Sequence, residues 1–190
     1  MEKLPMTLLI CSMFIVTPVV RSIAQWPEAV EEWFGKLSHA KEKVTKLHFY
    51  FHDLSNGKSP TAIQVAQANT SNTSPTLFGE VYMMDDLLTV GPEPSSKPVG
   101  RFEGLYGSAS LSEFSLIMAV NFFFTDGDYN GSTLAVMGSN PLLHQYRELS
   151  IVGGSGIFRL ARGVVTLNTY LYNRTKGNAI IEVNVVAIHY

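Results

Sequence analysis

Leu47-His-Phe-Tyr-Phe-His-Asp-Leu54 sets Leu47, Phe49, Phe51 and Asp53 on one side of the chain and His48, Tyr50 and His52 on the other. Successive side chains leave a β-strand on opposite faces, so this period of two reads as a half-buried strand whose apolar face ends in a carboxylate. Similar β-rich runs recur over 61–68, 77–87, 97–106, 113–125, 132–138, 158–172 and 179–189, which makes eight strands. Between them lie turn-forming stretches such as Ser55-Asn-Gly-Lys, Gly91-Pro-Glu-Pro-Ser-Ser and Asp126-Gly-Asp-Tyr-Asn-Gly. Short strands joined by short turns imply antiparallel order. An all-β, eight-stranded antiparallel barrel holds its own side chains or one small ligand, and a β-sandwich is the alternative, because periodicity does not count sheets.

At 190 residues and 46% hydrophobic composition the chain has material for one good core. Residues 1–24 read as a secretory signal peptide: a lysine near the start, an apolar run of 13 residues from 8 to 20, then Ser22-Ile-Ala24. The run is shorter than the ~20 residues that span a bilayer, so no membrane anchor is expected. Cleavage would remove Cys11, the one cysteine, and leave a domain without a disulfide. Asn69, Asn72, Asn130 and Asn173 each open an Asn-x-Ser/Thr acceptor in or beside a turn, where a glycan would meet solvent, and the expectations of secretion and glycosylation support one another. Net charge is −2 with no basic block, which argues against a nucleic-acid partner. Residues 25–44, with Trp26, Trp33, Phe34 and several Glu and Lys, form an N-terminal arm or a short amphipathic helix before a domain over 45–190.

His48 and His52 invite a metal reading, but on a strand they lie ~13 Å apart. One ion with bonds of ~2 Å does not bridge that gap, so no metal is expected. Gly153-Gly-Ser-Gly156 precedes a strand-like run rather than a helix, so it reads as a hairpin turn and not a phosphate cradle. Ser155 lacks the second glycine of a nucleophile elbow. Asp53 has two readings: it caps the Ser55-Asn-Gly turn, or it sits at the rim of an apolar barrel with its pKa raised, able to relay a proton. Asp85 is placed on an apolar strand face with Val81 and Met83. Arg147 follows a long loop, Ser139-Asn-Pro-Leu-Leu-His-Gln-Tyr146, where it either faces a ligand or pairs with Glu148. Tyr106 either packs or serves as a phenol donor.

Lys46-Leu-His-Phe-Tyr-Phe-His-Asp53, Phe78-Gly79 with Asp85, Ser96-Lys-Pro-Val99 with Gly104-Leu-Tyr106, and Arg147-Glu-Leu-Ser-Ile-Val-Gly-Gly-Ser-Gly156 resemble the motifs of the plant dirigent proteins, in the same order, over 45–190. The resemblance implies an eight-stranded barrel, a homotrimer (or a homodimer), and secretion to the apoplast in the extracellular space. It also implies a pocket for phenols, no cofactor, and a separate laccase or peroxidase as radical source. In that family the pocket imparts stereoselectivity on the coupling of phenoxy radicals of coniferyl alcohol or related phenols, in lignan-type metabolism, without oxidising the substrate. By matched motif, Asp53, Tyr106 and Arg147 would be the catalytic groups, with Asp85, Asn140, Phe51 and Ser108 on the substrate. Lignan-forming members have an aspartate where this chain has Asn140, and a second tyrosine where it has Ser108. Both departures resemble the non-lignan branch, which includes biaryl-coupling dirigents and the pterocarpan synthases. The latter are lyases that dehydrate an isoflavanol through a quinone methide.

Overall fold

The computed structural model describes residues 28–190, so the expected signal peptide lies outside the described residues. Within 28–39, the 25–44 segment makes a helix, α1 (Glu28–Lys36), continued by a 3-10 turn over Leu37–His39. Glu28 and Glu31 in its first turn and Lys36 in its last complement the helix dipole.

Residues 40–190 form a separate compact unit. Its strands are β1 (Lys43–Asp53), β2 (Ala62–Ala66), β3 (Val81–Thr89), β4 (Pro98–Ser108), β5 (Ser115–Phe124), β6 (Thr133–Pro141), β7 (Arg147–Ser155), β8 (Arg162–Asn173) and β9 (Asn178–His189). They pair in the order β1-β9-β8-β7-β6-β5-β4-β3, every pair antiparallel. β3 returns to β1 through Tyr50↔Thr89, Phe51↔Leu88 and His52↔Leu87, which closes eight strands into a barrel. The expected architecture is therefore present, and the sandwich is excluded by this closing ladder.

The membership of the eight differs from the sequence reading. β2 pairs only with β3 and lies outside the closed ring, with Ile63 and Val65 exposed, whereas β7 is a full barrel strand. The glycines at 153 and 154 belong to β7, and the chain reverses after them through a 3-10 turn at Gly156–Phe158. A Cβ on Gly154 would meet the Phe158 and Thr133 carbonyl oxygens at 2.5 and 2.6 Å, so close backbone approach is what demands glycine there. Gly163 is similarly constrained: its φ is +146° and a Cβ would lie 2.0 Å from the Val186 carbonyl oxygen.

The interior is aromatic. Phe102 stacks on Phe122 at 4.4 Å, Phe51 meets Phe102 at 4.9 Å, and Phe49 meets Phe122 edge-on at 5.1 Å. Phe49 and Phe51 thus face inward as their alternation requires. Burying each ring contributes roughly 1.5–3 kcal/mol. On the outer face of β1, His52 is also buried; its Nε2 donates to Thr89 Oγ1 at 2.7 Å, and that hydroxyl donates to the Gly91 carbonyl at 2.7 Å. Burial lowers the His52 pKa, which keeps the ring neutral in this chain of bonds. Thr89→Val leaves the imidazole N–H unpaired and is expected to lower stability by about 1–2 kcal/mol in urea unfolding.

Candidate functional site

Antiparallel order brings the ends of β1, β4, β6 and β8 and the starts of β5, β7 and β9 to one mouth of the barrel, and a cavity of about 970 Å³ opens there. Phe51, Met84, Met118 and Ile181 give it an apolar floor. Asp53, Tyr106, Ser108, Asn140 and Arg147 all line it, as does Phe51, so six of the seven expected pocket residues share one cavity.

Asp85 is the exception and is corrected. It points outward from β3, exposed, and its Oδ1 accepts from Arg101 Nε at 2.6 Å. Its neighbour Asp86 is the inward carboxylate, wholly buried and opposite the buried Phe102. The parity of β3 is set by Leu88, also wholly buried, and a shift of one residue exchanges the faces.

Asp53 is not a backbone cap. Ser55 Oγ donates to its Oδ1 at 3.3 Å, while the neighbouring Leu54 N–H is taken by Thr61 Oγ1 at 3.0 Å. Burial raises the Asp53 pKa. Asp86 is pushed up to about 8, first by burial and then by the Asp53 charge, with the Thr61 hydroxyl bond and Arg101 opposing. Two carboxyls in such surroundings do not both ionise easily, so at least one proton stays with the pair near neutral pH.

Tyr106, on the next inward strand, stacks on Tyr82 at 5.0 Å with planes 8° apart. Tyr82 Oη donates to Glu80 Oε2 at 2.6 Å, and its own pKa is pushed up to about 12, mainly by burial. Burial, then Asp53, raises that of Tyr106 as well, so its phenol remains a hydrogen-bond donor. Sequence reading missed Asp86 and the Glu80–Tyr82 pair, although the parity that places Tyr106 inward would have flagged them once β3 was registered.

Arg147 faces this acidic wall from β7, three strands from β1 in one direction and three from β4 in the other. It is 3% exposed; Nη2 donates to Thr169 Oγ1 at 2.9 Å and Nε has no partner. Glu148 leaves the opposite side of the strand, and among the described residues no carboxylate lies within ion-pair distance of Arg147. Burial lowers its pKa, yet a guanidinium stays charged at any ordinary pH. Asn140, at the end of β6 rather than in a long loop, is buried with Nδ2 3.0 Å from Met118 Sδ and Oδ1 unpaired. The connection to Arg147 is only residues 142–146.

The arrangement is a greasy chamber with proton donors on one wall and a lone cation across from them. It suits a planar aromatic molecule whose oxygen gains or loses charge. Among the described residues no group of three His, Cys, Asp or Glu side chains is placed to hold a metal ion, and no helix is long and apolar enough to cross a membrane. His48 and His52 bond to different partners, Glu182 and Thr89.

Comparison with known proteins finds relatives matched over most of their own length, with solved structures of the same fold. The family model described as dirigent-like protein matches residues 44–188. Dirigent protein 23 of Arabidopsis thaliana is 43% identical over 178 residues, covering 93% of this chain and 95% of that protein. Pterocarpan synthase 1 of Glycine max is 45% identical over 155 residues, covering 81% of this chain and 83% of that protein. A solved pterocarpan synthase dirigent protein superposes with a TM-score of 0.72 at 46% identity, covering 78% of this chain and 89% of that one.

Proposed function

The chain belongs to the dirigent family, and on that premise we propose that it binds phenoxy radicals of coniferyl alcohol or a related phenol and directs their coupling into one stereoisomer. A separate laccase or peroxidase supplies the radicals. The observation that carries this reading is the cavity itself. Its volume of about 970 Å³ lies at the upper end of small-molecule sites, enough for aromatic rings to meet, and its polar groups are confined to opposed walls. Rings held against Phe51, Met84 and Met118 have one face restricted, and the oxygen of each is fixed by Arg147 or by Tyr106 and Asp53. Coupling from one pair of faces is then favoured by orientation alone. The protein is read as secreted to the apoplast, glycosylated at exposed acceptor asparagines and assembled as a homotrimer.

A second reading is supported by the Asp53–Asp86 pair, which orientation of radicals does not require. Asp53, whose pKa burial raises at the cavity wall, suits acid-assisted loss of a hydroxyl from an isoflavanol-like phenol. With the ring phenol ionised beside Arg147, the C–O bond breaks with its electron pair leaving on oxygen, Asp53 supplies the proton that makes the leaving group water, and a neutral quinone methide remains. A neighbouring phenol then adds to the methide carbon and returns its proton to Asp53. Proteins named pterocarpan synthase are among its relatives at 45% and 46% identity, which supports this reading.

Chiral chromatography of products separates the two. With coniferyl alcohol and a one-electron oxidase, an enantiomeric excess that vanishes without either protein is the expected result; racemic product from folded protein sinks the guide reading. Optically active product from an isoflavanol without oxidase establishes the lyase instead.

A further inference from the structure

We infer that Asp86 is a positioning residue that acts through Asp53: buried beneath it on the adjoining strand, it keeps its own proton while Asp53 donates and recovers a second one at the cavity wall. The inference deepens the reading given under Proposed function and rests on it for the identity of the chemistry.

Three observations carry it. The β1–β3 ladder pairs Tyr50 with Thr89, Phe51 with Leu88 and His52 with Leu87 and ends there, so Asp53 and Asp86 are the next residue on each strand, both of inward parity. From that position the Asp53 charge acts on the Asp86 carboxyl, so ionising one disfavours ionising the other. Asp53 lines the cavity whereas Asp86 does not, and Asp86 is wholly buried. Finally, Asp86 Oδ1 accepts from Thr61 Oγ1, but its Oδ2 is buried with no partner. An ionised carboxylate in that position would bury an unsatisfied charge, whereas the protonated acid leaves there only a neutral group, which costs far less to bury unpaired.

The charges around Asp86 are Asp53 on β1, Asp85 on its own strand and Arg101 and Tyr106 on β4. Of these only Arg101 favours ionisation, and its guanidinium is engaged by Asp85 on the outer face. With Asp86 neutral, Asp53 can lose a proton to a leaving or ring oxygen while the pair gains a single negative charge. It recovers the proton from the hydroxyl that closes the new ring. With Asp86 ionised, the same step would create a second adjacent charge, and Asp53 would hold its proton instead.

The test is a titration of the full chain by infrared difference spectroscopy, reading the C=O stretch of a protonated carboxylic acid. The wild type should lose such a band near pH 8. In Asp53→Asn the band should persist with its midpoint moved to lower pH, because the neighbouring charge is gone; a midpoint that does not move, or no band at pH 6, overturns the proposal. The pH profile of product selectivity, or of turnover, gives an independent readout. Wild type should decline on the alkaline side as Asp86 ionises, and Asp86→Asn should restore the alkaline side because the amide cannot ionise. An Asp86→Asn profile that keeps the wild-type decline overturns the inference, as does complete inactivity of a folded Asp86→Asn protein, which would mean that the Asp86 proton itself is transferred. Absence of any selective product would reject the proposed function alone, since the infrared titration reads the pair without substrate.

Discussion

Asp86→Asn is expected to gain stability relative to wild type by about 1.4 kcal/mol per pH unit as pH rises between the ordinary carboxyl value of 3.8 and about 8, on the order of 5 kcal/mol in all. In the folded barrel Asp86 holds its proton to about pH 8, while in the unfolded chain it releases it near 3.8. Between these values the folded state binds the extra proton, so raising the pH favours unfolding. The stabilisation is complete below the unfolded value and is lost as the pH climbs through the folded one. An amide has no such proton, and its curve lacks this slope. Asp53, raised in the same direction, shares part of the dependence, so the difference between the two proteins should be steepest above the range where Asp53 has ionised. Urea unfolding at a series of pH values checks this directly. Parallel stability curves for the two proteins would show that Asp86 is already ionised in the folded state.

How far this site was legible in the sequence depends on which strand carried it. β1 has apolar residues on one face only near its end, so its period of two placed Phe49, Phe51 and Asp53 correctly. β3 reads Val81-Tyr-Met-Met-Asp-Asp-Leu-Leu-Thr89, with apolar residues and a carboxylate on both faces, and its parity was undetermined without a partner strand. The register with β4, where Asp86 meets Phe102, resolves it. That ambiguity selected Asp85 and hid Asp86.

The strand count succeeded through two compensating differences. β2, Ala62-Ile-Gln-Val-Ala66, alternates well but its branched residues are exposed on an edge outside the ring. β7 has only Leu149 and Ile151 as inward hydrophobes, bounded by an arginine and glycines, so local composition reads as loop and turn. What makes β7 a strand is pairing with β6 and β8 on either side, a tertiary effect that outweighs a weak local preference. The same pairing turns Arg147 inward, away from Glu148, and decides between the two readings its sequence neighbourhood left open.

Arg147→Met is expected to abolish product selectivity while raising stability by about 1–2 kcal/mol. Arg147 is 3% exposed, the one hydrogen-bond partner of its guanidinium among the described residues is the Thr169 hydroxyl, and Nε is unpaired. A charge kept from water without a counter-ion lowers stability, and an unbranched thioether of similar length fits among Leu149 and Leu167 without that penalty. Selectivity should respond in the opposite direction. A hydrogen bond to an oxygen that becomes charged contributes about 1.5–3 kcal/mol, so losing it from the favoured pathway reduces the preference by roughly 10- to 150-fold, down to a racemic mixture. Arg147→Lys should fall between the two, since it keeps the charge but not the planar fork. Thermal unfolding and chiral chromatography on the same preparations measure both effects. If the methionine protein were less stable yet still selective, Arg147 would be a brace for β8 through Thr169, and the cation would have to be removed from the site.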